Sequence, residues 1–309
     1  MPPMKSHCSR YDRNTAVVTP MTLPNVAEFA LVLPSKIIKR VYVQRRVWQL
    51  NNINRHSAAR VVRRGGPVVS LTSYGKRVDT AYLAIESIAG GSLLPSELIL
   101  WLDDEARYES LPITLERLKR RGLTVRLCKN YGPHKKYYPY VDSQEEFLTP
   151  LVTADDDVLY PKHWLAALAR SFERDSSVVH GYRARVISLQ GDRIAPYEQW
   201  RLCDSTRPSW RHLLNGVSGV IYPPRLLAAL KCAGLEFEQC CPKADDVWLH
   251  AIALRAGFRV QQIERRAIHF PFIPGSQESA LYFDNASGGN DIQIARTYSQ
   301  KDVQRIAEG

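Results

Sequence analysis

The stretch Leu151-Val152-Thr153-Ala154-Asp155-Asp156-Asp157-Val158-Leu159-Tyr160-Pro161 orders the reading of the whole chain. A short apolar run breaks off into three consecutive carboxylates, as a buried strand does where it reaches the polar rim of a sheet. Carboxylates packed this closely repel and raise one another's pKa, so a folded chain keeps them together where a metal ion or cationic side chains hold them. Hard oxygen donors of this kind suit Mg²⁺ or Mn²⁺, which enter sites together with substrate phosphates. The plainer alternative is a solvated acidic turn, with Asp157 leading into a helix beyond Pro161.

Upstream of that stretch, strands and helices alternate. Residues 67–75 (PVVSLTSYG) read as a buried strand ending in a polar, glycine-containing turn, and 78–89 carry Ala81, Ile85 and Ile88 at helical spacing. A second strand over 97–102 closes with Asp103 and Asp104; a helix over 113–121 stops at Gly122, and a third strand covers 124–127. Downstream, 162–174 predict a helix, 177–189 an extended stretch, and Gln190-Gly191-Asp192 a hairpin turn. The run 213–222 is strand-like but holds Gly216 and Gly219, which fit either a bulge or the close approach of a ligand. A short helix over 225–233, a helix from about 245 to Arg255 and a strand over 258–263 complete the pattern, followed by His269 and a polar tail with Asn285, Gly288, Gly289, Asn290 and Asp291.

This alternation predicts βαβ units, hence an α/β fold with a mostly parallel central sheet flanked by helices. Ligands of such sheets bind beyond the carboxyl ends of the strands. Thr72 to Arg77, Asp103, Asp104 and Asp155 to Asp157 all fall there. A second acidic pair, Asp245-Asp246, opens a helix; one aspartate fits an N-cap, the other is not explained by capping. One acidic cluster can hold a metal while the other acts as a base, a division that fits group transfer from a nucleotide-activated donor. Lys135 and Lys136, in Tyr131-Gly132-Pro133-His134-Lys135-Lys136-Tyr137-Tyr138-Pro139, are either phosphate partners or surface charge.

Composition narrows the classes further. With 309 residues, 45% hydrophobic and 24% charged, the chain can bury a full core, and its longest apolar runs fall well short of a membrane span. Its first residues show no signal-peptide pattern, which gives the expectation of a cytoplasmic protein. The six cysteines lack the CxxC pairs of a zinc site and the density of a disulfide scaffold, so they read as reduced thiols. The net charge of +11 would suit nucleic acid, anionic lipid or a phosphorylated substrate, and much of it is local. Between 36 and 64 lie Lys36, Lys39, Arg40, Arg45, Arg46, Arg55, Arg60, Arg63 and Arg64, with no acidic residue among them. Residues 1–34 read as a loose, proline-containing arm, 35–66 as a basic helical segment and 67–309 as the main domain. In the basic segment Ile37, Ile38, Val41, Tyr42, Trp48 and Ile53 form a ragged apolar stripe, blurred by Val43 and Val47. Two readings stay open for it: an interfacial anchor on an anionic membrane surface, or a helix docked on the main domain.

In their order and spacing, the TSYGKR turn, GPHKKYYP, TADDDVLYP with Trp164, the GVSG segment, ADDVWL and the terminal NDIQ resemble glycosyltransferases of the GT-A fold. The likeness is to bacterial enzymes of the family 2 type that build surface polysaccharides, and it covers about 67–295. The resemblance implies a nucleotide-diphosphate sugar donor, UDP by family weight, and a glycan or glycolipid hydroxyl as acceptor, with no nucleic acid as partner. It implies Mn²⁺ or Mg²⁺ on Asp155 and Asp157 with His269 as a third ligand, and Asp246 as the base of an inverting reaction. Asp245 stands where the family more often has Glu, leaving both carboxylates as candidates for the base. Thr72, Tyr74, Arg77, Asp103, Asp155, Asp156 and Gly219 would line the donor, Lys135 and Lys136 its phosphates. Trp200 and Trp210 either cover the acceptor or belong to the core. The alternatives are a retaining transferase of the same fold, a nucleotidyltransferase, for which no GxGxxG or GKS/T loop is present, and a basic nucleic-acid- or membrane-binding protein without catalysis.

Overall fold

The computed structural model describes residues 36–276 and 289–309, so the arm at 1–34 and the tail positions Asn285 and Gly288 lie outside the described residues. Its centre is a seven-stranded sheet in the order β11-β5-β10-β4-β1-β2-β3. The strands are β1 (Val68–Thr72), β2 (Glu97–Leu102), β3 (Thr124–Leu127), β4 (Leu151–Thr153), β5 (Val178–Gly181), β10 (Val220–Tyr222) and β11 (Arg259–Gln262). All pair in parallel except β10, which runs antiparallel between β4 and β5. The mostly parallel, helix-flanked α/β architecture expected from the sequence is the one the chain forms.

The central strands read as unbroken apolar runs because both of their faces are covered. Val68 and Leu151 enter one core cluster, while Val69, Leu71 and Val152 enter the other, as the two-residue period of a strand demands. Helices Trp164–Arg174 and Ala81–Ala89 lend Leu165, Leu168 and Ile85 to the second cluster, and helix Asp245–Arg255 lends Trp248 and Ile252 to the first. The register of β1 on β4 pairs Ser70 with Thr153, so the segments leaving these strands emerge side by side at one rim.

Several boundaries differ from the sequence reading. The run 213–222 divides into β9 (His212–Leu214), which pairs with β6 (Ala184–Val186) in a separate two-stranded sheet, a turn at Gly216–Ser218, and β10. The predicted hairpin forms between β7 (Leu189–Gln190) and β8 (Arg193–Ile194), with Gly191 at φ 60° in its turn. Trp200 is buried, its Nε1 donating to the Ala195 carbonyl at 2.8 Å, so it belongs to the core and does not cover an acceptor.

The basic segment is a helix, Lys36–His56, docked on the domain. Leu50 is fully buried and meets Leu83, Ala84 and Leu159, with Val43, Val47 and Ile53 packed beside it. Asn54 donates to Glu86 at 2.9 Å, and Arg121 neutralises the same carboxylate at 2.5 Å.

Candidate active site at the sheet's switch point

The strand order reverses between β1 and β4, and in open α/β sheets the crevice outside the carboxyl ends at such a point is where ligands bind. The segments flanking it here are 72–77 after β1 and 155–157 after β4. Asp103 follows β2, which lies on the other side of β1.

Arg77, in the turn Gly75–Asp79, reaches across the crevice to ion-pair with Asp156, and with Asp157 Oδ2 at 3.0 Å. The Ser73 hydroxyl also donates to Asp156. The turn Gly132–Lys136 carries both lysines inward, because His134 is fully buried and pins it: Nε2 lies 2.7 Å from the Cys241 carbonyl, and the ring stacks on Phe237 at 4.0 Å. Burial pushes the His134 pKa down to about 4, so the imidazole is neutral at pH 7. That anchorage ties the lysine turn to the segment just before helix Asp245–Arg255. In consequence Lys136 Nζ sits 2.9 Å from Asp155 Oδ1 and 3.2 Å from Asp245 Oδ2. One ammonium group joins the two acidic segments that are far apart in sequence. Lys135 Nζ lies 2.5 Å from Asp103 Oδ2 and 5.7 Å from the centre of the Tyr74 ring, which Arg77 faces at 5.3 Å.

Asp246 accepts the Gly216 backbone N–H at 3.0 Å, which fixes it against the turn between β9 and β10. Beside it the Asn215 amide donates to the Tyr197 hydroxyl at 3.2 Å. The Asp155 N–H donates to the Tyr160 hydroxyl at 2.8 Å, and that hydroxyl donates to the Val217 carbonyl at 3.3 Å, so the aspartate loop and the Gly216 turn share one support.

Charge in this crevice is buried, and its aspartates outnumber the cations Arg77, Lys135 and Lys136. Burial raises the Asp246 pKa, Asp245 raises it further, and Lys136 with the Gly216 N–H offsets part of the rise, leaving it at about 7. Burial works against the charge of Lys136, yet Asp155, Asp245 and Asp246 together hold its pKa well above the ordinary lysine range. Asp156 is raised by burial despite Arg77 and Ser73. The cationic partners that three adjacent carboxylates require are therefore Arg77 and Lys136.

Asp155 and Asp157, one residue apart at the rim, are hard oxygen donors of the type that hold Mg²⁺ or Mn²⁺ with one or two carboxylates plus phosphates, so the donor set fits such an ion. Both are already counter-charged by Lys136 and Arg77. His269 is exposed, edge-on to Phe272 at 4.6 Å, and among the described residues no group of three His, Cys, Asp or Glu side chains gathers closely enough to hold an ion.

The remaining candidates have structural partners. Thr72 donates to the Trp101 carbonyl at 3.0 Å. At Gly219, φ is 94°, and a Cβ would stand 2.5 Å from Trp164 Nε1; the close neighbour that calls for glycine is this indole, which donates to the Ser218 carbonyl at 2.9 Å. Asp245 is the first residue of its helix, after Ala244 at the N-cap, so capping does not explain it. Sequence reasoning missed Ser73 and Tyr160. A hydroxyl beside the first turn and a tyrosine three residues after the aspartates are the signals they carry.

No protein-family model matches the chain, and no curated protein matches it in sequence. Among solved structures it is similar to a CMP:2-keto-3-deoxy-manno-octonic acid synthetase complexed with CTP, with a TM-score of 0.40 and 12% identity over 73% of this chain and 98% of that one. It is also similar to S. aureus TarS 1–349, with a TM-score of 0.44 and 15% identity over 78% of this chain and 69% of that one. The assignment of the crevice rests on the strand order and the contacts above.

Proposed function

We propose that the protein is a glycosyltransferase that moves a sugar from a nucleoside-diphosphate donor, UDP in the first instance, to a glycan or glycolipid hydroxyl with inversion. The observation that carries this reading is the meeting of Asp155 and Asp245 on the single ammonium of Lys136, at the switch point of an α/β sheet, with Asp246 at their side. A crevice in which fixed cations and carboxylates are interleaved suits a donor that carries a diphosphate and an acceptor that must lose a proton.

In the reaction, the acceptor oxygen bonds to the anomeric carbon as the bond from that carbon to the phosphate oxygen breaks. The acceptor proton passes to the Asp246 carboxylate, whose raised pKa makes it a better base than an exposed aspartate. The Gly216 N–H holds that carboxylate in one orientation. Negative charge growing on the leaving diphosphate is met by Arg77 and Lys136, which are already in place and need no reorganisation. Asp155 and Asp157 would hold a divalent ion, and such an ion supplies further charge neutralisation at the diphosphate. Asp103 and Tyr74, which lie beside Lys135, would meet the nucleoside.

The test is nucleotide-sugar hydrolysis and transfer across a donor panel with Mn²⁺, Mg²⁺ or EDTA. Turnover of one donor, lost in Asp246→Asn, supports the reading; absence of turnover and of binding for every donor removes it. Product configuration by NMR decides the stereochemistry, since a retained anomer rules out single displacement.

A further inference from the structure

The docked helix Lys36–His56 turns an exposed face away from the domain, and that face is not built like an ordinary solvated one. Opposite the inward line of Leu50 and the half-buried Val43 and Val47 runs a line at i, i+3, i+7 and i+10: Ile38, Val41, Arg45 and Trp48. Ile38 is 43% exposed, Val41 58% and Trp48 65%, while Lys39, Arg40 and Arg45 are exposed around them. Single exposed apolar residues need no explanation, but three on one stripe of a helix, interleaved with cations, do. Beside Trp48 the surface sinks into a hollow of about 410 Å³ flanked by Arg46, Gln49, Asn52, Ile53 and Lys162. Two cations and two carboxamides, with no carboxylate, are groups that recognise a phosphate. Glu86, which the helix covers, is fully buried and paired with Arg121 and Asn54, so it does not offset this positive face.

We propose that this face of helix Lys36–His56 docks in plane on an anionic phospholipid bilayer, with Ile38, Val41 and Trp48 entering the interface and the Arg46–Lys162 hollow receiving a lipid phosphate. The occupant is chosen by the combination of features. Nucleic acid would use the cations but gains nothing from Ile38 and Val41, whereas a second protein chain would leave the nine basic residues of 36–64 uncompensated unless it were acidic. A helix lying in the interface needs no spanning length, and no described helix is long and apolar enough to cross a membrane. Lys162 lies five residues beyond Asp157, and Leu159 packs on Leu50, so the docked surface adjoins the segment that carries the aspartates. The inference stands independently of the transferase reading.

The test is co-sedimentation of the full chain with vesicles of phosphatidylglycerol and phosphatidylcholine, against phosphatidylcholine alone. The expected result is partition onto the anionic vesicles that weakens with salt, and that falls by about tenfold or more in the double variant Val41→Ser/Trp48→Ser and, separately, in Arg45→Glu. Unchanged thermal unfolding of these surface variants shows that the fold is intact. Quenching of tryptophan emission by brominated lipid in wild type, lost in Trp48→Phe, reads insertion directly. Equal partition of wild type and the double variant, no anionic binding at all, binding that duplex DNA abolishes by competition without regard to Val41 and Trp48, or a stable dimer in solution that buries Trp48 would each overturn the proposal.

Discussion

Replacing Lys136 with Met tests how the crevice is held together. In the native fold its ammonium faces Asp155 at 2.9 Å and Asp245 at 3.2 Å, with side chains only 11%, 22% and 10% exposed in that order. At an effective dielectric of about 20, each of these pairs attracts by roughly 5 kcal/mol before the cost of burying the charges. Removing one partner of such a buried set leaves carboxylates facing one another, a loss of about 3–5 kcal/mol. In a chain of this size that loss lowers the melting temperature by roughly 5–10 °C. The assay is urea unfolding of both proteins in EDTA at pH 7.5 and pH 5. Lys136 offsets part of the rise in the Asp246 pKa, so without it Asp246 binds its proton more readily in the folded state; the destabilisation is largest at pH 7.5 and shrinks as the pH falls. Equal stability of Lys136→Met and wild type at pH 7.5 would refute the bridging role. A deficit of the same size at both pH values would assign the loss to packing.

Four further outcomes follow from the structure. Burial raises the Asp246 pKa from 3.8 to about 7, so between those values the folded state holds its proton more tightly than the unfolded chain, and stability falls as pH rises through that window. Asp246→Asn, which keeps an acceptor for the Gly216 N–H, should therefore be more stable than wild type by about 4 kcal/mol at pH 8 and equal to it near pH 3.5, read by urea melts. With the native base, kcat/KM for transfer should climb with pH and level off above about 7. Gly219→Ala drives a methyl into the Trp164 indole at a φ that disfavours side chains, for a loss of about 3 kcal/mol measured by chemical denaturation. Asp157→Asn should weaken donor binding in Mn²⁺ more than in EDTA, measured by calorimetry; an equal loss in both would detach Asp157 from the metal.

Much of the architecture was legible because the strands are buried on both faces. The apolar runs 68–72, 97–102 and 151–153 leave no rival period, and the carboxylates or polar turns that end them mark one rim. The antiparallel insertion of β10 was not legible, since three residues, Val220–Tyr222, carry no sign of direction. Helix Lys36–His56 reads as a ragged stripe because both of its faces hold apolar residues; Val43 and Val47, which blur the outward stripe, are the ones packed on the domain. Helix Gln300–Ala307 was missed inside a polar tail, although Ser299 and Asp302 form the reciprocal cap that announces it. In the site, residue types gave the acidic clusters and the lysines, but not that Lys135 and Lys136 turn inward onto carboxylates. That outcome depends on His134 finding the Cys241 carbonyl far along the chain, a contact that local spacing does not encode.

The most direct test of the central claim is to measure nucleotide-sugar binding and turnover side by side for wild type and Asp246→Asn in Mn²⁺. If the crevice works as described, the variant binds the same donor with unchanged affinity while turnover drops on the order of a hundredfold or more, because only the proton acceptor is gone. Failure of wild type to bind any nucleotide sugar, or full turnover without the Asp246 carboxylate, would contradict it.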